Sequence, residues 1–123
     1  MEHTLDILKA LSDKNRMRIV AALWRHDELC ACQITELLQV SGATASRHLG
    51  ILQRSGLISS RKDGRWVFYK LLQPEGSVQL FQWLEHSLSG ADALVTDYQA
   101  MKKILHVTPE YLCRKQRGEE CCP

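Results

Sequence analysis

A chain of 123 residues holds one domain, and 45% hydrophobic with 24% charged residues is the composition of an ordinary globular protein. No run approaches the roughly 18 apolar residues of a membrane span, and Met1-Glu2-His3-Thr4-Leu5-Asp6 has neither region of a signal peptide, so a cytoplasmic protein with no membrane partner is expected. The formal net charge of +2 excludes little by itself, but its distribution is uneven.

In chain order, Leu5, Leu8 and Leu11 recur at helical spacing and predict a first helix from about Glu2 to Leu11. Ser12-Asp13 reads as a break and N-cap for a second helix, about Lys14 to Arg25, buried through Ile19, Val20 and Leu23. A short third helix covers about Ala31 to Leu38. After the turn Gln39-Val40-Ser41-Gly42, Ser41 caps a fourth helix that runs to about Ser55. Two short helices joined by a tight Gly-containing turn are a helix-turn-helix pattern. Leu57 to Lys62 and Arg65 to Leu72 read as two strands joined by Asp63-Gly64, a pair that favours a two-residue turn with positive φ at both positions. Val67, Tyr69 and Leu71 alternate onto one face, the expected core side. Two more helices follow, about Glu75 to Ser89 and Ala91 to Leu105. The four-three-four spacing of Leu94, Tyr98, Met101 and Leu105 on the second resembles a dimer seam, to which the first helix also contributes. The expected fold is mainly α with a small β-hairpin, in the order α-α-α-α-β-β-α-α: a winged helix-turn-helix. Residues 1–105 form the DNA-binding and dimerisation domain, and 106–123 are expected to be a flexible, cysteine-containing tail.

Residues 42–72 carry Arg47, Arg54, Arg61, Lys62, Arg65 and Lys70 against one acid, Asp63, while the rest of the chain is net acidic. Such a block is an electrostatic footprint for phosphate. On the fourth helix Ala45, Leu49 and Leu52 share the core side, which turns Ala43, Arg47, Gly50 and Arg54 outward. Small residues around an arginine let a helix enter a groove closely. Arg47 is suited to a bidentate pair with guanine, and Thr44 and Ser46 to base edges or phosphates. The candidate DNA contacts are Ser41, Thr44, Ser46, Arg47, His48 and Arg54 from this motif, with Arg61, Lys62 and Arg65 from the hairpin tip. His48 stands near the core boundary, as a structural or phosphate-facing side chain. Trp66 and Phe68 read as packing residues rather than as a base-stacking platform.

Five cysteines in a cytoplasmic chain are expected to be reduced, as ligands or reactive thiols rather than as a disulfide framework. Glu28-Leu29-Cys30-Ala31-Cys32 leads straight into the helix-turn-helix. On a regular helix the side chains of Cys30 and Cys32 point about 200° apart, so a shared ion requires the first turn to be non-helical or to unwind. Ligation there would distort the support of the reading helix and raise the free energy of the DNA-competent shape, so that the protein is released from DNA. Two thiolates suit a soft, low-coordinate ion such as As(III) or Sb(III). The alternatives are two small buried hydrophobes, a Cd, Pb or Zn sensor needing more ligands, or a thiol redox switch at Cys30/Cys32 or Cys121-Cys122.

These residues resemble the ArsR/SmtB family of winged-helix repressors, nearest its arsenical-responsive ArsR branch. The resemblance covers about residues 4–105. It rests on Leu11-Ser12-Asp13, Arg16, Arg18-Ile19, Glu28-Leu29-Cys30-Ala31-Cys32, Ser46-Arg47-His48-Leu49, Leu52, Ser55-Gly56-Leu57, Arg61-Lys62-Asp63-Gly64-Arg65-Trp66-Val67 and Tyr69. It implies a homodimer that binds double-stranded operator DNA without a cofactor. It also implies that the dimer leaves the DNA when arsenite or antimonite is ligated by Cys30 and Cys32, derepressing a resistance operon. The family's metalloid motif continues to a third cysteine where this chain has Thr35. A third ligand would then be Cys113, Cys121, Cys122, a small-molecule thiol or water, and a two-thiol site would also accept a methylated arsenical. The acid and histidine pairs of the family's zinc sensors are not matched by Glu85-His86 and Asp97.

Overall fold

The computed structural model describes residues 1–116. Helices α1 (Glu2–Leu11) and α2 (Lys14–Arg25) are followed by a two-residue strand β1 (Leu29–Cys30). Then come α3 (Ala31–Leu38), α4 (Gly42–Arg54), β2 (Ile58–Asp63), β3 (Trp66–Leu71), α5 (Val78–Leu88), α6 (Asp92–Ile104) and α7 (Pro109–Gln116). The fold is therefore mainly helical around a small antiparallel sheet of order β1-β3-β2.

Local chemistry sets the boundaries. Asp13 takes the N-cap of α2 and accepts from the Arg16 N–H at 3.0 Å, a contact of the kind that contributes about 1 kcal/mol. Ser41 caps α4 by accepting from the Thr44 N–H at 3.1 Å. Between α3 and α4 the chain turns through Gln39, the sole non-glycine described residue with positive φ, at 55°. Its N–H donates to the Thr35 carbonyl and closes α3. The core lies under the helix-turn-helix: Ile19, Ile34, Leu52 and Leu57 are at 0% exposure, with Leu29, Ile58, Phe81 and Met101 beside them.

Four expectations are corrected. The hairpin pairs Asp63 with Trp66, so its two central residues are Gly64 and Arg65, one residue later than expected. Gly64 alone takes positive φ, 63°, where the missing Cβ removes the steric cost. Second, β1 joins β3 through Leu29↔Tyr69 and Cys30↔Phe68, making β3 a central strand. Both its faces are partly covered, and Trp66 and Phe68 pack on the core as Tyr69 and Leu71 do. Third, Met101 of the expected dimer seam is buried in its own domain, whereas Tyr98 and Leu105 remain exposed. Fourth, the stretch expected as a loose tail from residue 106 contains α7, which buries Leu112 and Cys113 at 2% exposure and packs on α3. Cys121 and Cys122 lie outside the described residues.

Candidate nucleic-acid interface and thiol site

Helix α4 turns Ala45, Leu49 and Leu52 into the core, and Ser41, Ser46, Arg47 and Arg54 are exposed on its other side with Thr44 half-buried. The Ser41 hydroxyl donates to the Thr44 hydroxyl at 3.0 Å, so the two form one polar pair at the helix start. Arg47 is engaged by no described side chain and projects from the exposed face. Arg54 folds back along the helix: a Cβ added to Gly50 would lie 3.2 Å from its Nη1. Small residues thus leave the outer face low around Arg47.

His48 departs from the expected contact set. It is 7% exposed, and its Nδ1 lies 3.2 Å from Arg16 Nη1 and 3.8 Å from Asp13 Oδ2. The helical phase that turns Arg47 outward turns His48 toward α2. Arg16 also donates through Nε to the Ala10 carbonyl at 2.6 Å, so one guanidinium ties the end of α1 to the reading helix. The bond from the Arg16 N–H, chiefly, holds the Asp13 carboxyl below its ordinary range.

At the wing, Lys62 and Arg65 are exposed, and Arg65 lies over the Trp66 ring. Arg61 is exposed but already partnered. It donates two bonds of 2.7 Å to Glu28 and stacks over Phe68, its cross-strand partner. The same hydrogen bonds push the Glu28 carboxyl below the usual range and raise Arg61. Glu28 directly precedes the thiol segment, so that segment is tied to the wing twice: by this pair and by the β1-β3 ladder.

Cys30 is the N-cap of α3, in extended conformation with φ −82° and ψ 160°, and it is 1% exposed. Its N–H donates to the Gln33 side chain at 2.9 Å. Cys32 is in the first helical turn. The first turn is thus already non-helical at Cys30, as a shared Cys30/Cys32 site requires. The sulfur that Cys32 meets is another one: Cys113 of α7, to which it is disulfide-bonded across 81 residues with a Cα–Cα separation of 5.7 Å. Sequence alone pointed to reduced thiols, and no local pattern marks a partner so distant. Thr35, where the family has a third cysteine, is 7% exposed and donates its hydroxyl to the Ala31 carbonyl at 2.8 Å. Among the described residues no three His, Cys, Asp or Glu side chains cluster as a metal site.

Two further residues matter that the sequence reading left without a role. Arg18 donates from Nε and Nη2 to the Asp97 carboxylate of α6, at 2.8 and 2.9 Å, and from Nη2 to the Leu37 carbonyl at 3.0 Å. This bidentate pair fixes α6 to the last turn of α3, where the helix-turn-helix bends, and it commits Asp97 to structure. In the sequence Arg18 stood out only among the residues that carry the family resemblance, and Asp97 only as an unmatched zinc-sensor position.

A family model described as a helix-turn-helix domain matches residues 11–61. An arsenic resistance transcriptional regulator of Pseudomonas putida is 33% identical over 117 residues, 95% of this chain and 96% of the relative. A cadmium resistance transcriptional regulatory protein of Listeria innocua is 49% identical over 61 residues, 50% of this chain and 51% of the relative. The chain therefore spans about half the length of the cadmium-resistance relatives it matches. Among solved structures, the transcriptional regulator HlyU of Vibrio vulnificus is 33% identical with a TM-score of 0.57, over 69% of this chain and 85% of that one. HlyU of Vibrio cholerae is 28% identical with a TM-score of 0.64, over 72% and 94%. No described helix is long and apolar enough to cross a membrane.

Proposed function

Because this chain belongs to the ArsR family of helix-turn-helix transcriptional regulators, whose members bind DNA and are not enzymes, we propose that it is a homodimeric, metalloid-responsive repressor. In this reading it binds operator DNA through α4 and the wing, and leaves when As(III) or Sb(III) is ligated by cysteine thiolates, releasing an arsenic-resistance operon. The position of the thiols carries the reading. Cys30 and Cys32 stand at the entry to α3, which packs directly on the reading helix, and β1 is hydrogen-bonded to the wing. A ligand that reshapes this junction changes both DNA-facing elements at once, which is the differential contact that a coupled equilibrium needs. The start of a helix also favours thiolate, the ligating form.

On DNA, Arg47 would pair with a base edge while Ser41, Thr44, Ser46, Arg54, Lys62 and Arg65 meet backbone or flanking edges. Arg61 would exchange Glu28 for phosphate or stay as a brace for the wing. Exposed Leu5 and Leu8 on α1 and Tyr98 and Leu105 on and beside α6 supply apolar surface for a second copy.

The test is fluorescence anisotropy of the protein on its own upstream DNA, under reducing conditions, during titration with arsenite, antimonite or cadmium. Arsenite should release the wild type and leave Cys30→Ser/Cys32→Ser bound. Release by cadmium but not arsenite would move the inducer to a divalent soft ion. A second reading, thiol redox switching, is favoured by the Cys32–Cys113 bond. It predicts loss of DNA binding under peroxide with no metalloid present.

A further inference from the structure

We propose that Cys32 and Cys113 form a two-thiol site for a trivalent arsenical bearing one carbon substituent, with α7 as a clasp that the ligand ties to the helix supporting α4. This deepens the metalloid reading above and rests on it. The two sulfurs are in bonding contact although their residues are 81 apart, and both side chains are buried, at 8% and 2% exposure. Two further contacts latch the same two helices beside them: Lys115 Nζ to Glu36 Oε2 at 2.7 Å, and Gln116 Nε2 donating to the Cys32 carbonyl at 2.9 Å. Leu112 fills the apolar side of the joint.

The number of ligands selects the species. With the pair reduced, R–As(OH)2 reacts with two thiols: two As–S bonds form, two As–O bonds break, and the thiol protons leave with the hydroxyls as two waters. No electrons change hands, and every exchangeable position on arsenic is used. Arsenous acid at the same pair keeps one hydroxyl. That hydroxyl would sit in a buried joint where Thr35 is already bonded to its own helix and no third His, Cys, Asp or Glu of the described residues converges. A buried polar group without a partner is unfavourable, whereas a methyl group needs none. Arsenic bound to both sulfurs holds α7 covalently against the first turn of α3, the helix that packs on α4, so the arsenical fixes one arrangement of the support of the reading helix.

The experiment uses the full chain reduced with a phosphine, methylarsenous acid and arsenous acid as probes, and two readouts. The first is tryptic mapping of the arsenical adduct. Arg25, Arg47, Lys103 and Arg114 place Cys30 and Cys32 in one peptide (26–47), Cys113 in another (104–114), and Cys121-Cys122 in a third. The proposal expects one methylarsenic joining 26–47 to 104–114, a result that depends on no variant folding correctly. The second readout is release from operator DNA. Cys32→Ser and Cys113→Ser should each raise the half-release concentration of methylarsenous acid at least about tenfold, and arsenous acid should act about tenfold more weakly on the wild type. An adduct confined to 26–47 or to the Cys121-Cys122 peptide, with Cys113→Ser released like the wild type, overturns the clasp site and leaves the metalloid reading intact. Equal potency of the two probes overturns the selectivity. Failure of both probes to bind the wild type or to release it overturns the metalloid reading itself.

Discussion

The reading helix and its wing are assembled from residues close in sequence, whereas the thiol end joins segments 81 residues apart. Ser41 caps its own helix, Arg54 folds over Gly50 four residues earlier, and Arg61 pairs across a two-residue turn with Phe68. The thiol end needs α7 to return to α3 and dock Leu112 and Cys113 against it. A surface built from local contacts stays shaped in any state in which its helix persists. A joint built from one long-range docking opens, once the Cys32–Cys113 bond is reduced, by undocking a single eight-residue helix. That difference suits the proposed division of labour: the DNA face is held constant, and the response is placed where the structure can come apart at least cost.

The sharpest way to break the comparison is Leu112→Ala. Truncating a leucine at 2% exposure removes about 2–5 kcal/mol when the site is held closed, with the loss capped here by the docking energy of α7 itself. Hydrogen exchange should show α7 amides losing protection while those of α4 keep theirs, and DNA affinity without arsenical should be unchanged. Equal loss of protection in α4 would mean that the two ends are one cooperative unit. Arg47→Ala probes the opposite end and should be somewhat smaller in free energy. It should weaken operator binding by about 1–3 kcal/mol with no change in melting temperature, since no described residue holds its guanidinium. A stability change without an affinity change would move Arg47 from the reading surface to a structural role.

The same contrast explains what could be read from the sequence. The helices, the helix-turn-helix and the hairpin depend on periodicity and on capping and turn residues within a few positions, and their order was legible. The inward side of α4, Ala45, Leu49 and Leu52, was legible for the same reason. His48 was legible only as a boundary residue, because its destination is set by Arg16 and Asp13 from another helix. Strand β1 is too short to show alternation and exists through its pairing with β3. Helix α7 lies in a polar stretch whose one buried pair, Leu112 and Cys113, gives no periodic signal; the sequence offered Cys113 only as one of several candidate third ligands, and the fold is what brings it to Cys32. The motif led to Cys30 with Cys32, two residues apart, and the fold brought Cys32 to Cys113. Arg61 illustrates the limit from the other side: a basic wing tip is legible, but its engagement by Glu28 is not.

The smallest expected effect is that of pH on the clasp. The hydrogen bond from Lys115, the largest influence, with those from Gln116 and Gln39, holds Glu36 below its ordinary value of 4.5. Glu36 raises Lys115 above its ordinary 10.5. A carboxylate with a lowered folded value contributes its full stabilisation above the unfolded value and loses it as pH falls through the folded one. A raised lysine contributes below its unfolded value and loses it as pH rises through the folded one. The latch is therefore intact between these ordinary values, and on acidification it fails through Glu36. The Leu112 methyl resonances should move toward their undocked positions as pH falls through the lowered Glu36 value, below the ordinary 4.5. In Glu36→Gln that pH dependence should vanish. Methyl positions that hold steady across the range would mean that Leu112 and the Cys32–Cys113 contact dock α7 without help from the ion pair. The thiol end would then owe its closure to burial and sulfur chemistry alone.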